Sequence, residues 1–232
     1  MLPSYTTNRF NGSRSYIPEY LRRIIHYPQM DIEYTFCYRT TSWRKQTKNQ
    51  WARDDPAFIA ILVLFMAVAA IAYSVAFNAW NPVTLLRIMF WAAFIEFLGL
   101  GLATATLGWF VANKYLRVQS LHAVDQKVEW LYAFDVHCNS FFPLFVVLYV
   151  LQFFLLPLIL GTGFFSTVIA NSMYAFAFSY YFYVTFLGYN VLPFLHHTVL
   201  FLYPIGAVGL FYVLSLLFRF NCSVFVMNYY FG

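Results

Sequence analysis

The sequence predicts an all-α polytopic membrane protein, and three features carry that prediction: composition, long uncharged apolar runs and a segregation of charge. Of 232 residues, 62% are hydrophobic, 23% aromatic and only 10% charged, with a mean hydropathy of +0.63. That balance lies outside the range of soluble domains. The apolar runs have the length of helices that cross a hydrocarbon core about 30 Å thick. Nine of the fourteen Lys and Arg precede Pro56, so the net charge of +5 speaks of a membrane surface before it speaks of nucleic acid.

The chain changes character between Arg44 and Phe58, from polar and basic to almost wholly apolar. Asp55 is a good N-cap and Pro56 suits the first helical position, where its missing N–H is no loss, so a helix is expected to start there. Trp51 fits the headgroup level, and Arg44, Lys45, Lys48 and Arg53 suit anionic lipid. A cap with interfacial anchors accounts for these residues without catalysis; the sharper reading is a docking epitope for a cytosolic partner.

Before this doorstep lies a cytosolic basic segment, 1–55. Residues 1–15 are rich in Ser, Thr, Asn and Arg, a composition that favours disorder. Ile17, Tyr20, Leu21, Ile24 and Ile25 recur at helical spacing with Arg22 and Arg23 flanking them, which predicts a short amphipathic helix in the interface. In 30–36 strand and helix are not separable by periodicity. The first apolar run begins only near Ala57, so the first span is expected to act as its own targeting signal.

The domain from 56 to 218 is predicted to hold five transmembrane helices, at 57–77, 83–112, 141–160, 164–187 and 198–218. A tight turn at 78–82 joins the first two, a cytosolic loop at 113–140 precedes the third, and Pro143 and Pro157 interrupt that span. Residues 219–232 are left as a short tail. Lys114, Arg117 and Lys127 fall on the same side as the basic N-terminal segment, whereas Arg219 lies on the other, with Arg87 just inside the second span. The positive-inside rule then places the N-terminus in the cytosol and, after five spans, the C-terminus in the lumen. Of two glycosylation sequons, Asn11 is on the wrong side for use and Asn221 is close to the bilayer, so neither is expected to be modified.

Glu96 is the outstanding polar residue, a carboxyl near the middle of a span and by default either a functional site or a buried partner. Arg87, nine residues away, is half a turn out of phase and does not share its helix face. Asn171, Ser172 and Thr104 are the expected hydrogen-bonding partners. Structural glue is the preferred reading; a transporter or lipid-handling pathway is the alternative. Gly99, Gly101, Ala103, Ala105 and Gly108 provide small residues at the spacing that permits close helix approach.

Asp135, His137, Cys138 and Asn139, with His196 and His197, bring metal-ligating types to one side, but adjacent histidines project about 100° apart on a helix and the spacing is not that of a metal site. Capping and interfacial hydrogen bonding explain Asp135 and Asn139 better. Cys37, Cys138 and Cys222 form neither a CxxC signature nor a disulfide framework. Gly99-Leu100-Gly101 lacks the strand and helix start of a nucleotide fingerprint. No nucleophile with a base, phosphate loop or paired carboxylate is found, so no enzyme, metal or cofactor is predicted. Tyr and Trp interleave with the basic residues of 1–55; that mix suits stacking on single-stranded RNA, but an interfacial anchor is preferred.

Three separate stretches carry a family resemblance: Arg44 to Phe58, with Arg-Lys-Gln-Thr-Lys and Trp-Ala-Arg-Asp-Asp-Pro-Ala-Phe; Asn113-Lys114-Tyr115-Leu116 with Val128-Glu129-Trp130 and Tyr132-Ala133-Phe134-Asp135-Val136-His137; and Tyr183 to Tyr189 with Leu192-Pro193-Phe194-Leu195. From about Tyr20 to Phe218 the chain resembles the Unc-fifty (uncoordinated-50) family of Golgi membrane proteins. Arg39 to Trp43 replaces a longer aromatic stretch, and His196-His197 stands where the family commonly has Lys-Asn.

The resemblance implies a five-span, multi-pass protein of Golgi membranes with its N-terminus in the cytosol and a role in trafficking. It implies association with the exchange factors that load GTP onto Arf, delivery of nicotinic acetylcholine receptors to the surface in animals, and an RNA-binding activity. The predicted function is therefore recruitment of Arf exchange machinery by a cytosolic face. Trp51, Arg53, Asp54, Asp55, Trp130, Asp135, His137 and Tyr189 are the candidate partner-binding residues, membrane lipid is a further partner, and Glu96, Arg87 and Asn171 are the intramembrane polar set.

Overall fold

The computed structural model describes residues 45–46, 50–53, 57–118 and 126–232. The expected amphipathic helix, the 30–36 segment, the Asp55–Pro56 cap and the Asn11 sequon lie outside the described residues. Those described are mostly helical, with a single antiparallel bridge between Arg117 and Leu195 in place of any strand. In chain order the helices are α1 (Ala57–Ala76), α2 (Pro82–Leu116), α3 (Trp130–Ile159), α4 (Phe164–Asn190), α5 (Thr198–Leu217, entered through a 3₁₀ stretch at Thr198–Leu202) and the short α6 (Cys222–Phe231).

Four of them, α1, α2, α3 and α5, are long and apolar enough to cross a membrane. Helix α4 has the length, at 27 residues, but its Ser, Thr, Asn and Tyr residues make it less apolar. The five long helices alternate in direction. Trp130 bonds Thr106 while Tyr149 bonds Glu96, so α3 runs back along α2. Tyr132 meets Gly188 and His137 meets Tyr181, so α4 runs back along α3. Tyr189 stacks on Phe201 and Asn171 bonds Ser215, which sets α5 against α4.

Small residues decide how closely α2 and α3 approach. Gly101, Ala105, Gly108 and Ala112 are buried at spacings of four and three. A Cβ on Gly101 would lie 2.5 Å from His137 Nε2 of α3, and one on Gly108 would overlap the hydroxyl of Tyr189, which reaches α2 from α4. This is the small-residue packing that membrane helices use in the absence of a hydrophobic drive between them. Gly99 and Ala103, expected on the same face, are exposed instead, because they fall a third to half a turn off the Gly101–Ala105 line.

Two helix ends close through left-handed residues. Asn78 (φ 55°) follows α1 and Arg219 (φ 51°) follows α5. In each case the next amide reaches five residues back, Ala79 N to Ser74 O and Phe220 N to Ser215 O, both at 2.8 Å. These paired closures satisfy carbonyls that would otherwise be orphaned.

Two boundaries differ from the sequence reading. The third long helix starts at Trp130 rather than 141, so the predicted 113–140 loop contracts to the stretch between Leu116 and Trp130. The stretch 130–140 is polar without being a loop: Asp135 and Asn139 meet Arg53 from the segment before α1, and His137 and Ser140 meet Tyr181 and Thr185 of α4. The helix also continues through Pro143 and Pro157, widening into a π-helical stretch at Val146–Leu151. Such widening re-registers a ladder from which proline has removed a donor. The second difference is the tail, 219–232, which folds back as α6. Asn221 caps it, its Oδ1 accepting from Val224 N, while its Nδ2 donates to Ile159 O at 2.8 Å. The nitrogen that a glycan would modify is thus held against α3.

Overpacking a close helix contact costs about 1–3 kcal/mol, so Gly101→Leu is expected to lower the thermal midpoint of the purified protein. Gly206→Leu, where a Cβ meets nothing within 4 Å, should leave it unchanged. Equal midpoints for the two variants would contradict the packing described.

Candidate functional site

Two constellations deserve separate description, one at an end of the bundle and one in its middle. At the end that carries residues 50–53, four stretches distant in sequence are tied together. The Glu129 carboxylate accepts from the backbone amides of Trp51 (3.3 Å to either oxygen) and Ala52 (3.5 Å), with Lys45 Nζ 4.0 Å away. Asn113 exchanges two hydrogen bonds with the backbone of Val128, at 2.9 and 3.0 Å. Val118 N donates to Phe194 O and His196 N to Leu116 O, at 3.1 and 2.8 Å. The segment before α1, the end of α2, the start of α3 and the turn after α4 thereby form one face.

Arg53 is the anchor of that face. Its Nε lies 3.5 Å from Asp135 Oδ1, and its Nη2 donates to Asn139 Oδ1 at 2.9 Å. The guanidinium also lies over the Phe58 ring, 5.2 Å from its centre, a contact between cation and ring quadrupole. Arg53 is 8% exposed and Trp51 4%. Trp51, expected at the headgroups, is packed inside against Phe194 with ring centres 5.7 Å apart, and Lys45 sits over it. The amphipathic ring is better used here as a core residue, since its backbone is already claimed by Glu129.

The other candidate residues separate in the same way. His137 is buried: Tyr181 and Thr104 meet its Nδ1 at 2.8 and 3.3 Å, and its Nε2 lies 3.2 Å from Phe97 O. A carbonyl only accepts, so Nε2 carries the proton and Nδ1 accepts from Tyr181. Tyr189 is buried and stacked on Phe201 at 4.1 Å. Trp130, by contrast, is exposed on the face, stacked on Phe134 and donating Nε1–H to Thr106. Exposed beside it in sequence or across the helix pair are Tyr115, Val118 and Leu131. Asp54 and Asp55 lie outside the described residues. Among the described residues no three His, Cys, Asp or Glu are gathered as for a metal ion.

The second constellation surrounds Glu96, in a π-helical stretch of α2 at Trp91–Gly99. Its carboxylate accepts from the hydroxyls of Tyr149, in the π-helical stretch of α3, and of Tyr230, in α6. The expected partners of Glu96 are engaged elsewhere: Thr104 with its own helix and His137, Ser172 with Tyr212, and Asn171 with Ser215, Phe220 O and Cys222 N. Arg87 is exposed near the start of α2, away from Glu96 as its phase predicts. Sequence reasoning missed Tyr149 and Tyr230 because phenols are ordinary among apolar residues and 219–232 read as a tail. It also missed Gln152, a lone amide in an apolar run, which is the signal that marks an intramembrane polar site.

The UNC-50 family model matches residues 20–231, more than nine-tenths of the chain. The chain belongs to the UNC-50 family. It is 57% identical to the unc-50 homolog of Dictyostelium discoideum over 98% of this chain and 92% of that one. Against the unc-50 homolog of Danio rerio the identity is 42%, over 88% and 83% of the two chains, and against that of Homo sapiens 41%, over 94% and 88%. No solved structure matches. The UNC-50 family match covers both constellations, so the face and the Glu96 cluster alike belong to the shared part of the chain.

Removing one partner of a buried ion pair costs about 3–5 kcal/mol, because the other charge is left uncompensated. Arg53→Leu and Asp135→Leu are each expected to destabilise this UNC-50 family member by that order, and the double variant by clearly less than the sum. Midpoints of thermal unfolding across the four proteins measure the coupling; strict additivity would show that the pair does not organise the face.

Proposed function

We propose that this UNC-50 family membrane protein is a non-enzymatic trafficking factor of Golgi membranes, whose 50–53 face recruits or stabilises Arf exchange machinery in the cytosol. In this reading α4 supplies the fifth crossing, the N-terminus is cytosolic, and receptor cargo such as nicotinic acetylcholine receptor subunits depends on the protein for delivery to the surface. One observation supports it most: four remote stretches are locked into a single face by Glu129, Arg53 and paired backbone bonds. A flexible lipid anchor needs no such order. Binding without chemistry needs a pre-formed surface, because each side chain ordered on association weakens it.

The division of labour on the face follows from burial. Arg53, Trp51 and Glu129 shape it from within, so their replacement would unmake the surface. Trp130 and Tyr115 are exposed aromatics at the ends of α3 and α2, the residue type that dominates binding hot spots. Lys114, beside them, has its ammonium 5.0 Å from the centre of the Phe110 ring and 5.3 Å from that of Tyr115. Basic residues around such a patch add attraction to anionic lipid of about 1 kcal/mol each. Membrane lipid and protein partner are then read by the same end of the bundle.

Tagged full-length protein recovered from Golgi membranes in mild detergent, beside a Tyr115→Ala/Trp130→Ala variant, tests this. Exchange factor is expected with the first and at least tenfold less with the second, at equal thermal stability, whereas Glu96→Gln should retain it. Absence of exchange factor from folded, Golgi-resident wild-type protein would overturn the reading.

A further inference from the structure

A cavity of ≈ 400 Å³ lies inside the bundle, between α1, α2, α3, α4 and α6. Its walls are largely apolar, with Ala70, Ala92, Leu148, Phe178 and Met227 contributed by the five helices. The volume falls in the lower part of the range for small-molecule sites, roughly 300–1,000 Å³. Glu96, Tyr149 and Tyr230 form one polar corner, and Gln152 lines the same space. Gln152 is 1% exposed, and neither its amide nitrogen nor its amide oxygen makes a hydrogen bond of ordinary geometry, the Tyr174 hydroxyl being its polar neighbour in the cavity. A buried carboxamide without well-formed hydrogen bonds is unfavourable in protein and more so in a membrane.

The chemistry of the walls narrows what would satisfy it. No Lys or Arg is among the lining residues, and a carboxyl stands in the cavity, so an anionic head such as a phosphate or fatty-acid carboxylate is unsuited. Both Glu96 oxygens already accept from phenols, which leaves Gln152 and the Tyr174 hydroxyl beside it as the polar groups facing the open volume. A hydroxyl is the complement of the Gln152 carboxamide, accepting from the amide N–H and donating to the amide oxygen. Gln152 lies seven residues inside the end of α3, roughly 10 Å at helical rise, too deep for a phospholipid headgroup. Leu100, Thr104 and Phe178 line the cavity and are also exposed on the flank of the bundle, so its mouth opens sideways between α2 and α4. We propose that this cavity is a binding site for a sterol, entered laterally from the bilayer, with the sterol hydroxyl held by the Gln152 carboxamide.

The probe is a photoreactive sterol with a free hydroxyl, applied to the full-length protein in phosphatidylcholine vesicles. Saturable labelling is expected in peptides of α2, α3 and α4, displaced by excess sterol but neither by its acetate ester nor by added phosphatidylcholine. Gln152→Leu, which keeps the volume and removes the amide, should cut labelling at least tenfold while leaving unfolding cooperative. Ala92→Phe, which fills the cavity, should do the same by exclusion. Labelling equal in both variants, labelling outside these helices, or equal displacement by the acetate ester would overturn the assignment. Preferential labelling by a photoreactive diacylglycerol would likewise overturn it, in favour of an acyl-chain site. The readout involves no exchange factor, so its failure and that of the recruitment reading are distinguishable.

Discussion

The close approach of α2 and α3 is the constraint on which the rest of the structure depends. Helices in lipid gain little from burying apolar surface against one another, so contact has to come from tight packing and from polar groups that meet. Gly101 removes a side chain where His137 of α3 presses against α2, and Gly108 does the same for Tyr189 of α4. The cleared space lets His137 reach Phe97 O on one side and Tyr181 on the other. A single imidazole thus joins α2, α3 and α4, and the ends of those three helices are what build the ordered face below it.

The face in turn explains why the chain enters the bundle as it does. Arg53 stands four residues before the start of α1, paired with Asp135 and donating to Asn139 of α3. Those two acceptors are one turn apart on a helix and so project in nearly the same direction. A guanidinium presents a planar fork of donors that can engage both, whereas an ammonium would be a single point. The same logic applies to Glu129, whose carboxylate collects two consecutive backbone amides just before α3 begins. A loop on the surface needs its own backbone satisfied, and here the satisfaction comes from a side chain on another loop.

Much of this fold was legible in the sequence. The apolar runs give the helices within a few residues at 57, 164 and 198, and the small-residue spacing on α2 announces a packing face. Polarity is a poor sign of loop here: Asp135 and Asn139 read as capping and interfacial residues, and the helix is expected to begin eleven residues late. Inside a membrane protein, polar residues often mark where helices meet, since each must find a partner there. Trp51 shows the reverse error. Its type is right for an interfacial anchor, but its burial follows from a tertiary contact with Phe194, nearly 150 residues away, that no local pattern reports. The Glu96 cluster was half legible, because the carboxyl stood out while its phenols came from a span and from a tail.

The bundle's treatment of its polar groups separates support from vacancy. Glu96 takes two phenols, Asn171 uses both ends of its amide to tie α4 to the α5–α6 junction, and His137 satisfies both ring nitrogens. Each is closed, and a closed buried network fixes geometry without inviting a ligand. Gln152 differs: neither its amide nitrogen nor its amide oxygen makes a hydrogen bond of ordinary geometry, and it borders open volume rather than packed atoms. The π-helical stretches sharpen the contrast. The stretches at Trp91–Gly99 of α2 and Val146–Leu151 of α3 carry Glu96 and Tyr149 and end beside Leu100 and Gln152, so both walls bulge where the cavity lies. Such departures from the α-helical ladder recur at functional sites because they re-aim a few side chains without breaking the helix. The same irregularity that would be a defect in a purely structural bundle is, beside an amide without well-formed hydrogen bonds, the geometry a bound molecule requires.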